Sequence, residues 1–321
     1  MILKHFKQCS LEVIGKDHVQ SGLPCQDKTA YGMKNGVRVI ALSDGAGSKK
    51  NSDLGADIAT KTTVELLLEN FDEYFLLLEN EPLKGNKLAK IITAEVYKRL
   101  NQKATEEANI SVIEMSSTLM FVAMKEDKYI QGHIGDGLIG ELVTNENGVE
   151  VRIRSHPENN GAPNITFFIT DSDAVDHFRI ISGYLPSNIK GFVLMSDGPE
   201  EVLFDPIKKT LNQYIINLFG MYKGTEYYSY KKTLERFLQE QISKYSYDDL
   251  SMNFMYMENE SLEFYKARGD DYFNDLVSKI NKGARVLQLS SYAFLLDDSF
   301  EASSANKEDK RKLLQHIHAV R

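Results

Sequence analysis

The spacing of apolar and polar positions changes along the chain, and each change marks a group of elements. Within Lys28–Ser43 two short β-branched runs flank Lys34-Asn35-Gly36, and Asn-Gly between such runs is the strongest short hairpin signal. The first strand pairing is therefore expected to be antiparallel. From Leu54 the period lengthens: Leu54, Ile58, Leu66 and Leu67, then Leu88, Ile91, Ile92 and Leu100, fall near helical spacing. Glu81-Pro82 and Lys84-Gly85 interrupt this pattern, which predicts two successive helices over Ser52–Asn80 and Asn86–Ala108.

Extended runs return at Thr118–Met124, Tyr129–Ile134, Leu138–Val143, Val149–Ile153, Ile165–Thr170, Arg179–Leu185 and Phe192–Ser196. Two further helices are expected at Pro206–Phe219 and Tyr230–Lys244, before a last strand at Leu250–Met257. Hairpin-linked strands with helices in pairs predict an α+β arrangement of layers, two mainly antiparallel sheets with helices outside, rather than a doubly wound parallel sheet. After Glu258 the chain becomes charged and helix-prone, as in Lys307-Glu308-Asp309-Lys310-Arg311-Lys312. One domain over residues 1–258 is expected, followed by a helical C-terminal extension over 259–321 that has no chemical motif.

Composition narrows the function. The 321 residues include 38 Lys+Arg against 46 Asp+Glu, a formal charge of −8, and 42% are hydrophobic. A chain of this length can bury roughly three-quarters of its unfolded surface, so a sizeable core is available. The acidic balance lacks the basic footprint that releases counterions from a phosphate backbone, which argues against a nucleic-acid partner. No run approaches the roughly 20 apolar residues that span a bilayer, and the first residues are too polar for a signal segment. No membrane partner is expected, and the two cysteines, Cys9 and Cys25, fit a reducing, cytoplasmic compartment. Six positions after them stand Gly15 and Tyr31 rather than arginine. That removes the cysteine-loop phosphatase arrangement, in which an arginine and backbone amides wrap the same phosphate as the thiolate.

The acid has a positional pattern. Val37-Arg38-Val39-Ile40-Ala41-Leu42 runs into Ser43-Asp44-Gly45-Ala46-Gly47, and Phe192-Val193-Leu194-Met195 runs into Ser196-Asp197-Gly198. Between them an apolar run ends in Gly135-Asp136-Gly137, and Asp248-Asp249 precedes the last strand. A single Asp-Gly is most simply a turn, because Asp bonds its own backbone and Gly accepts positive φ. Recurrence at four strand ends points instead to one acidic pocket. Clustered carboxylates repel one another unless a cation neutralises them. Oxygen donors without His or Cys favour Mg²⁺ or Mn²⁺, and two such ions suit hydrolysis of a phosphate.

In order along the chain, Gln26-Asp27, Asp44-Gly45-Ala46-Gly47, Ser117-Thr118, Gly135-Asp136-Gly137, Ser196-Asp197-Gly198 and Asp248-Asp249-Leu250-Ser251 resemble the motifs of the metal-dependent protein phosphatases of the 2C type. The resemblance covers about residues 10–258 and is closest to a bacterial subgroup. It implies a four-layer α-β-β-α sandwich and a serine/threonine protein phosphatase. Two Mn²⁺ or Mg²⁺ ions are implied, with a third at an auxiliary position, and a bridging hydroxide attacks without a phosphoenzyme. By the same resemblance Asp44 bridges both metals, the Gly45 carbonyl joins the second site, and Asp197 and Asp248 complete the first. Asp136 and Glu201 take the auxiliary metal, and Asp27 orients metal-bound water. Phosphorylated proteins are the implied substrates and a cognate serine/threonine kinase the implied partner.

The chain departs from eukaryotic members of that family at three points. Gln26 replaces a glutamate, Ala46 replaces a histidine proposed as general acid, and no arginine stands upstream of Gln26-Asp27 to clamp phosphate. His18 and Lys49 are the nearest substitutes for that clamp, against the plainer readings of a hydrogen-bonded histidine and a solvated lysine. Two alternatives remain at this level. Ile165–Thr170 running into Asp171-Ser172-Asp173 resembles the nucleophile motif of haloacid-dehalogenase-type phosphatases, with Asp171 as nucleophile and Asp173 as acid/base. The other is a non-catalytic module that keeps the fold to bind a protein.

Overall fold

The computed structural model describes residues 6–80, 84–107, 110–146, 148–158, 166–212, 214–220 and 227–257. Strand β1 (Phe6–Val13) and helix α1 (Lys16–Ser21) lead into the hairpin of β2 (Lys28–Lys34) and β3 (Val37–Ser43). Its turn uses Asn35 and Gly36 at φ 51° and 79°, the left-handed conformation that Asn-Gly tolerates. Helices α2 (Ser52–Asn80) and α3 (Lys84–Glu106) follow, then β4 (Leu119–Lys125), β5 (Lys128–Ile134), β6 (Leu138–Asn145) and β7 (Gly148–Ser155). The one-turn α4 (Ala174–His177) precedes β8 (Arg179–Tyr184), β9 (Ile189–Met195) and α5 (Asp197–Leu203). A short hairpin of β10 (Phe204–Asp205) and β11 (Thr210–Leu211), helices α6 (Tyr214–Gly220) and α7 (Tyr227–Glu240), and β12 (Leu250–Met257) complete the described chain.

Two five-stranded antiparallel sheets result, one in the order β1-β12-β9-β6-β7 and the other β2-β3-β4-β5-β8. Alternation on β3 and β4 shows why they stack. Val37, Val39, Ala41, Leu119, Phe121 and Ala123 point outward into the apolar layer under α2 and α3. Ile40, Leu42, Met120 and Val122 point inward to meet Phe192, Leu194 and Met255 of the other sheet. That sheet turns Val193, Met195, Met252 and Phe254 outward against α6 and α7. The layers are helix, sheet, sheet, helix, as the sequence resemblance implies.

Polar side chains stitch the two sheets together. The Asn253 amide donates to the carbonyls of Ala30 and Ala41 at 3.0 and 3.1 Å. The Gln8 amide donates to Gly32 and Val39 at 3.3 and 3.1 Å. Arg154 joins Gln131 at 2.9 Å and Glu141 at 2.6 Å, with its guanidinium 4.4 Å from the Tyr129 ring centroid.

The structure corrects three readings of the pattern. Residues 166–173 form no strand but a loop anchored by two buried side chains: Phe167 and Ile169 pack under the helices, and the Phe168 amide donates to Asp171 Oδ2 at 2.8 Å. Asp171 therefore caps a turn and does not end a parallel strand, which removes the support for a haloacid-dehalogenase site. The helix expected from Pro206 begins only at Tyr214, because Asp205 Oδ1 accepts the amides of Ile207 and Lys208 and closes a hairpin turn. Strand β1, absent from the expected set, pairs along all of its length with β12. Among the described residues no helix is long and apolar enough to cross a membrane. The extension over 259–321 lies outside the described residues.

Helix α2 can approach the chain before β4 only because residue 55 is glycine. A Cβ built there would stand 1.8 Å from the Met115 carbonyl oxygen. Gly55→Ala is expected to cost about 2–4 kcal/mol by overpacking against backbone. A lowered urea midpoint at unchanged slope would report it. The same approach sets the path of Ser116–Thr118 beside Asp44.

Candidate metal centre

Strand register brings the acidic strand ends together. Leu138 faces Met195, Met252 faces Met195, and Leu42 faces Met120. Carried two places beyond the strands, these registers set Asp136 against Asp197, Asp197 against the chain just after Asp248, and Asp44 against Thr118. The link from β5 to β6 crosses from one sheet to the other through Gly135-Asp136-Gly137. Gly135 has φ 118°, and a Cβ on it would meet Thr118 at 2.5 Å. The crossing needs a residue without a side chain, and it delivers Asp136 to the seam between the sheets.

The backbone around Asp44 is fixed from both sides. Its amide donates to Thr118 Oγ1 at 2.9 Å and its carbonyl accepts from the Thr118 amide at 2.8 Å. Gly45 bridges Ser117, and the Ala46 amide reaches the Ser116 carbonyl at 3.0 Å. Asp27, buried at 1% exposure, accepts from Ser196 Oγ at 2.7 Å. Ser196 in turn exchanges backbone and hydroxyl contacts with Ser251 on β12.

These elements enclose a cavity of about 590 Å³ at the seam of the sandwich. Six carboxylates line it, Asp17, Asp44, Asp136, Asp197, Glu201 and Asp248, and among the described residues no basic side chain does. The electrostatic consequence is large. Burial, then Asp27, Asp197, Asp136 and Asp248, hold the Asp44 carboxyl well above the usual carboxylate range. Burial and the charges of Asp248, Asp136 and Asp27 do the same to Asp197. Burial, reinforced by Asp249, pushes Asp27 up to about 7 against the Ser196 hydrogen bond. Asp136 is pushed up to about 6, chiefly by burial. Asp248 is raised by loss of water within the cavity wall, with Asp249 and Asp17 adding to the effect.

Among the described residues no three His, Cys, Asp or Glu side chains are already closed around one point as a metal cage. The donor set nevertheless fits hard divalent ions. It is all oxygen, it is uncompensated by any basic group in the cavity, and Asp136 Oδ1 is buried without a hydrogen-bond partner. Gln26 fits as well: its amide nitrogen is committed to the Lys49 carbonyl at 2.9 Å, and its Oε1 is buried and unpaired.

His18 and Lys49 are not among the residues lining the cavity. His18 Nδ1 lies 2.9 Å from Asp249 Oδ2, and Asp249 also accepts the amides of Gly15 and Gln26 at 2.6 and 2.5 Å. Asp249 thus clasps α1 and the Gln26-Asp27 turn to the start of β12, leaving Asp248 to face the cavity. Sequence reasoning missed this clasp and the Ser196–Asp27 bond, which join residues more than 160 positions apart. It also missed Glu200, pushed up to about 7 by burial and by the charges of Glu201 and Asp136. The one available signal was the placement of Glu200 three residues after Asp197, on the same face of α5.

A family model described as protein phosphatase 2C matches residues 14–239. The match ends before Asp248, whose placement rests on the geometry above. A comparison with curated proteins found no match. Among solved structures, a serine/threonine phosphatase from S. agalactiae aligns with a TM-score of 0.53 at 15% identity, covering 79% of this chain and 100% of that one. A serine/threonine phosphatase from Staphylococcus aureus aligns with a TM-score of 0.52 at 14% identity, covering 79% and 96%. A serine-threonine phosphatase 2C from Toxoplasma gondii gives 0.54 at 11% identity, covering 79% and 95%. At these identities the likeness is one of fold.

Proposed function

The chain belongs to the protein phosphatase 2C family, and from that premise we propose that it hydrolyses phosphoserine and phosphothreonine in proteins with divalent metal ions. The observation that supports this best is the cavity lined by six carboxylates and, among the described residues, no basic group. In this reading Asp44, the Gly45 carbonyl, Asp197 and Asp248 would hold two Mn²⁺ or Mg²⁺ ions, with Asp44 serving both. Asp136, with Glu201, would hold an auxiliary ion. Ions bound there supply Lewis acidity toward the attacking water and the phosphoryl oxygens.

The remaining work falls to the chain. Asp27, pushed up to about 7 and fixed by Ser196 Oγ, is poised to take a proton as water is activated beside Asp44. Thr118 keeps the Asp44 backbone from shifting as charge builds. Ala46 offers no proton to the leaving oxygen, so that proton comes from solvent or from a raised carboxyl of the cluster. His18 is turned by Nδ1 toward Asp249, and neither it nor Lys49 lines the cavity, so a phosphate anchor at either would have to reach the ions from outside its wall. The two cysteines fit a reducing, cytoplasmic setting, and membership of the family, rather than composition, suggests a serine/threonine kinase as the opposing partner.

Turnover of an aryl phosphate and a phosphothreonine peptide with Mn²⁺, and its loss on EDTA treatment, is the expected result. Equal turnover with and without EDTA would remove the metal mechanism. No turnover by the Mn²⁺-loaded protein on either substrate would favour a binding module instead.

A further inference from the structure

The geometry points to a substrate class: phosphorylated segments with lysine or arginine beside the phosphoresidue, received by Asp17, Tyr245 and Tyr247 at the mouth of the acidic cavity. The inference rests on the phosphatase reading and adds to it what the mouth selects.

Charge supplies the first argument. In the proposed function Asp44, Asp136, Asp197, Glu201 and Asp248 would hold the ions, which leaves Asp17 as the one carboxylate of the cavity with no ion to neutralise it. The mouth therefore keeps a negative charge, and no basic side chain lines the cavity among the described residues. Asp17 lies on α1 at the exposed rim, and the clasp through Gly15 and His18 holds that helix in place. An acidic flank on a substrate would meet like charge, whereas a basic flank would meet attraction.

Aromatic exposure supplies the second. Tyr245 and Tyr247 line the same cavity, yet stay 75% and 57% exposed, unusual for large rings beside a deep pocket. Their positions are fixed by backbone: the Tyr245 amide donates to Ile242 at 2.9 Å, and the Tyr247 carbonyl accepts the Asp17 amide at 3.2 Å. The Tyr247 ring already has the ammonium of Lys16 5.2 Å from its centroid. Rings of this kind attract lysine and arginine within about 6 Å. Together the two tyrosines and Asp17 form a rim suited to cationic side chains next to the phosphate.

The test compares two phosphothreonine peptides, one flanked by arginines and one by glutamates, with an aryl phosphate as a substrate that has no flank. A KM about tenfold lower for the arginine peptide is expected, shrinking as salt rises. Tyr245→Ser combined with Tyr247→Ser, or Asp17→Asn alone, should raise KM for that peptide about threefold to tenfold while aryl phosphate turnover is unchanged. Tyr247→Phe, which keeps the ring, should behave as the parent. A second readout is independent of turnover: fluorescence anisotropy of the labelled, unphosphorylated peptides with the full chain in EDTA should show tighter binding of the arginine peptide. Equal KM values on an enzyme that turns over the aryl phosphate would overturn the inference and leave the phosphatase reading standing. Failure on the aryl phosphate overturns that reading, and equal anisotropy titrations then overturn the inference as well.

Discussion

Asp44→Asn is expected to abolish turnover and, in EDTA, to raise the melting temperature. The two halves have one cause. Asp44 sits among Asp27, Asp197, Asp136 and Asp248, and each raises the cost of its charge. An amide of the same shape removes that repulsion from the metal-free protein, so stability should increase by about 1 kcal/mol or more. The same change removes the one carboxylate proposed to serve both ions. Losing a single charged group that stabilises a transition state typically costs about 10²–10³-fold in rate, ~3–4 kcal/mol, and a shared ligand belongs at the upper end. Its neighbours keep their backbone, because the Thr118 contacts use the Asp44 amide and carbonyl rather than its side chain. Aryl phosphate kinetics with Mn²⁺ and thermal unfolding in EDTA measure both halves. A variant that is active, or one that is inactive and also less stable, would make Asp44 a structural residue.

This opposition between stability and activity also explains what could be read in the sequence. Asp44, Asp136 and Asp197 were visible because each follows an apolar run, and Asp248 because it precedes one; strand ends are a local property. Their convergence was not local: it depends on the Leu138–Met195 and Met252–Met195 registers and on the Gly135 crossing between sheets. The long helix Ser52–Asn80 was legible from its period, as were the hairpins from their turns. Strand β1 was passed over although Cys9, Leu11 and Val13 alternate with Ser10 and Glu12, because the run is short and follows the polar pair Lys7-Gln8. Gln8 is inward facing only because it reaches carbonyls on the other sheet. Asp249 looked like the second half of an acidic pair, and only the fold separates it from Asp248. It meets two amides and an imidazole, whereas Asp248 meets the cavity.

Metal-free protein is expected to lose stability as pH rises from about 5 to 8, and divalent ions should restore it most at the alkaline end. Asp27 has an ordinary carboxyl value of 3.8 in the free chain and about 7 in the fold, Asp136 about 6, and Glu200 moves from 4.5 to about 7. The folded state therefore binds more protons than the unfolded state between these limits. Its advantage is fully present below about 4, shrinks through the interval, and is gone above the folded values. A three-unit shift at one buried carboxyl corresponds to about 4 kcal/mol, so the cluster dominates the profile. Glu95 and Asp205 are shifted the opposite way, but both lie in solvent-exposed ion pairs that contribute little; buried His133, held well below its ordinary 6.5 by burial and Arg179, opposes the trend only up to that pH, so the carboxyl effect is read most cleanly above it. Divalent ions replace the protons, so Mn²⁺ should raise the urea midpoint strongly at pH 8 and weakly at pH 5, releasing protons as it binds. Urea titrations at both pH values, with EDTA and with Mn²⁺, provide the measurement. A midpoint in EDTA that is flat or rises with pH would mean that the carboxylates are not held in the cluster described here. An Mn²⁺ effect equal at both pH values would mean that the ion binds elsewhere.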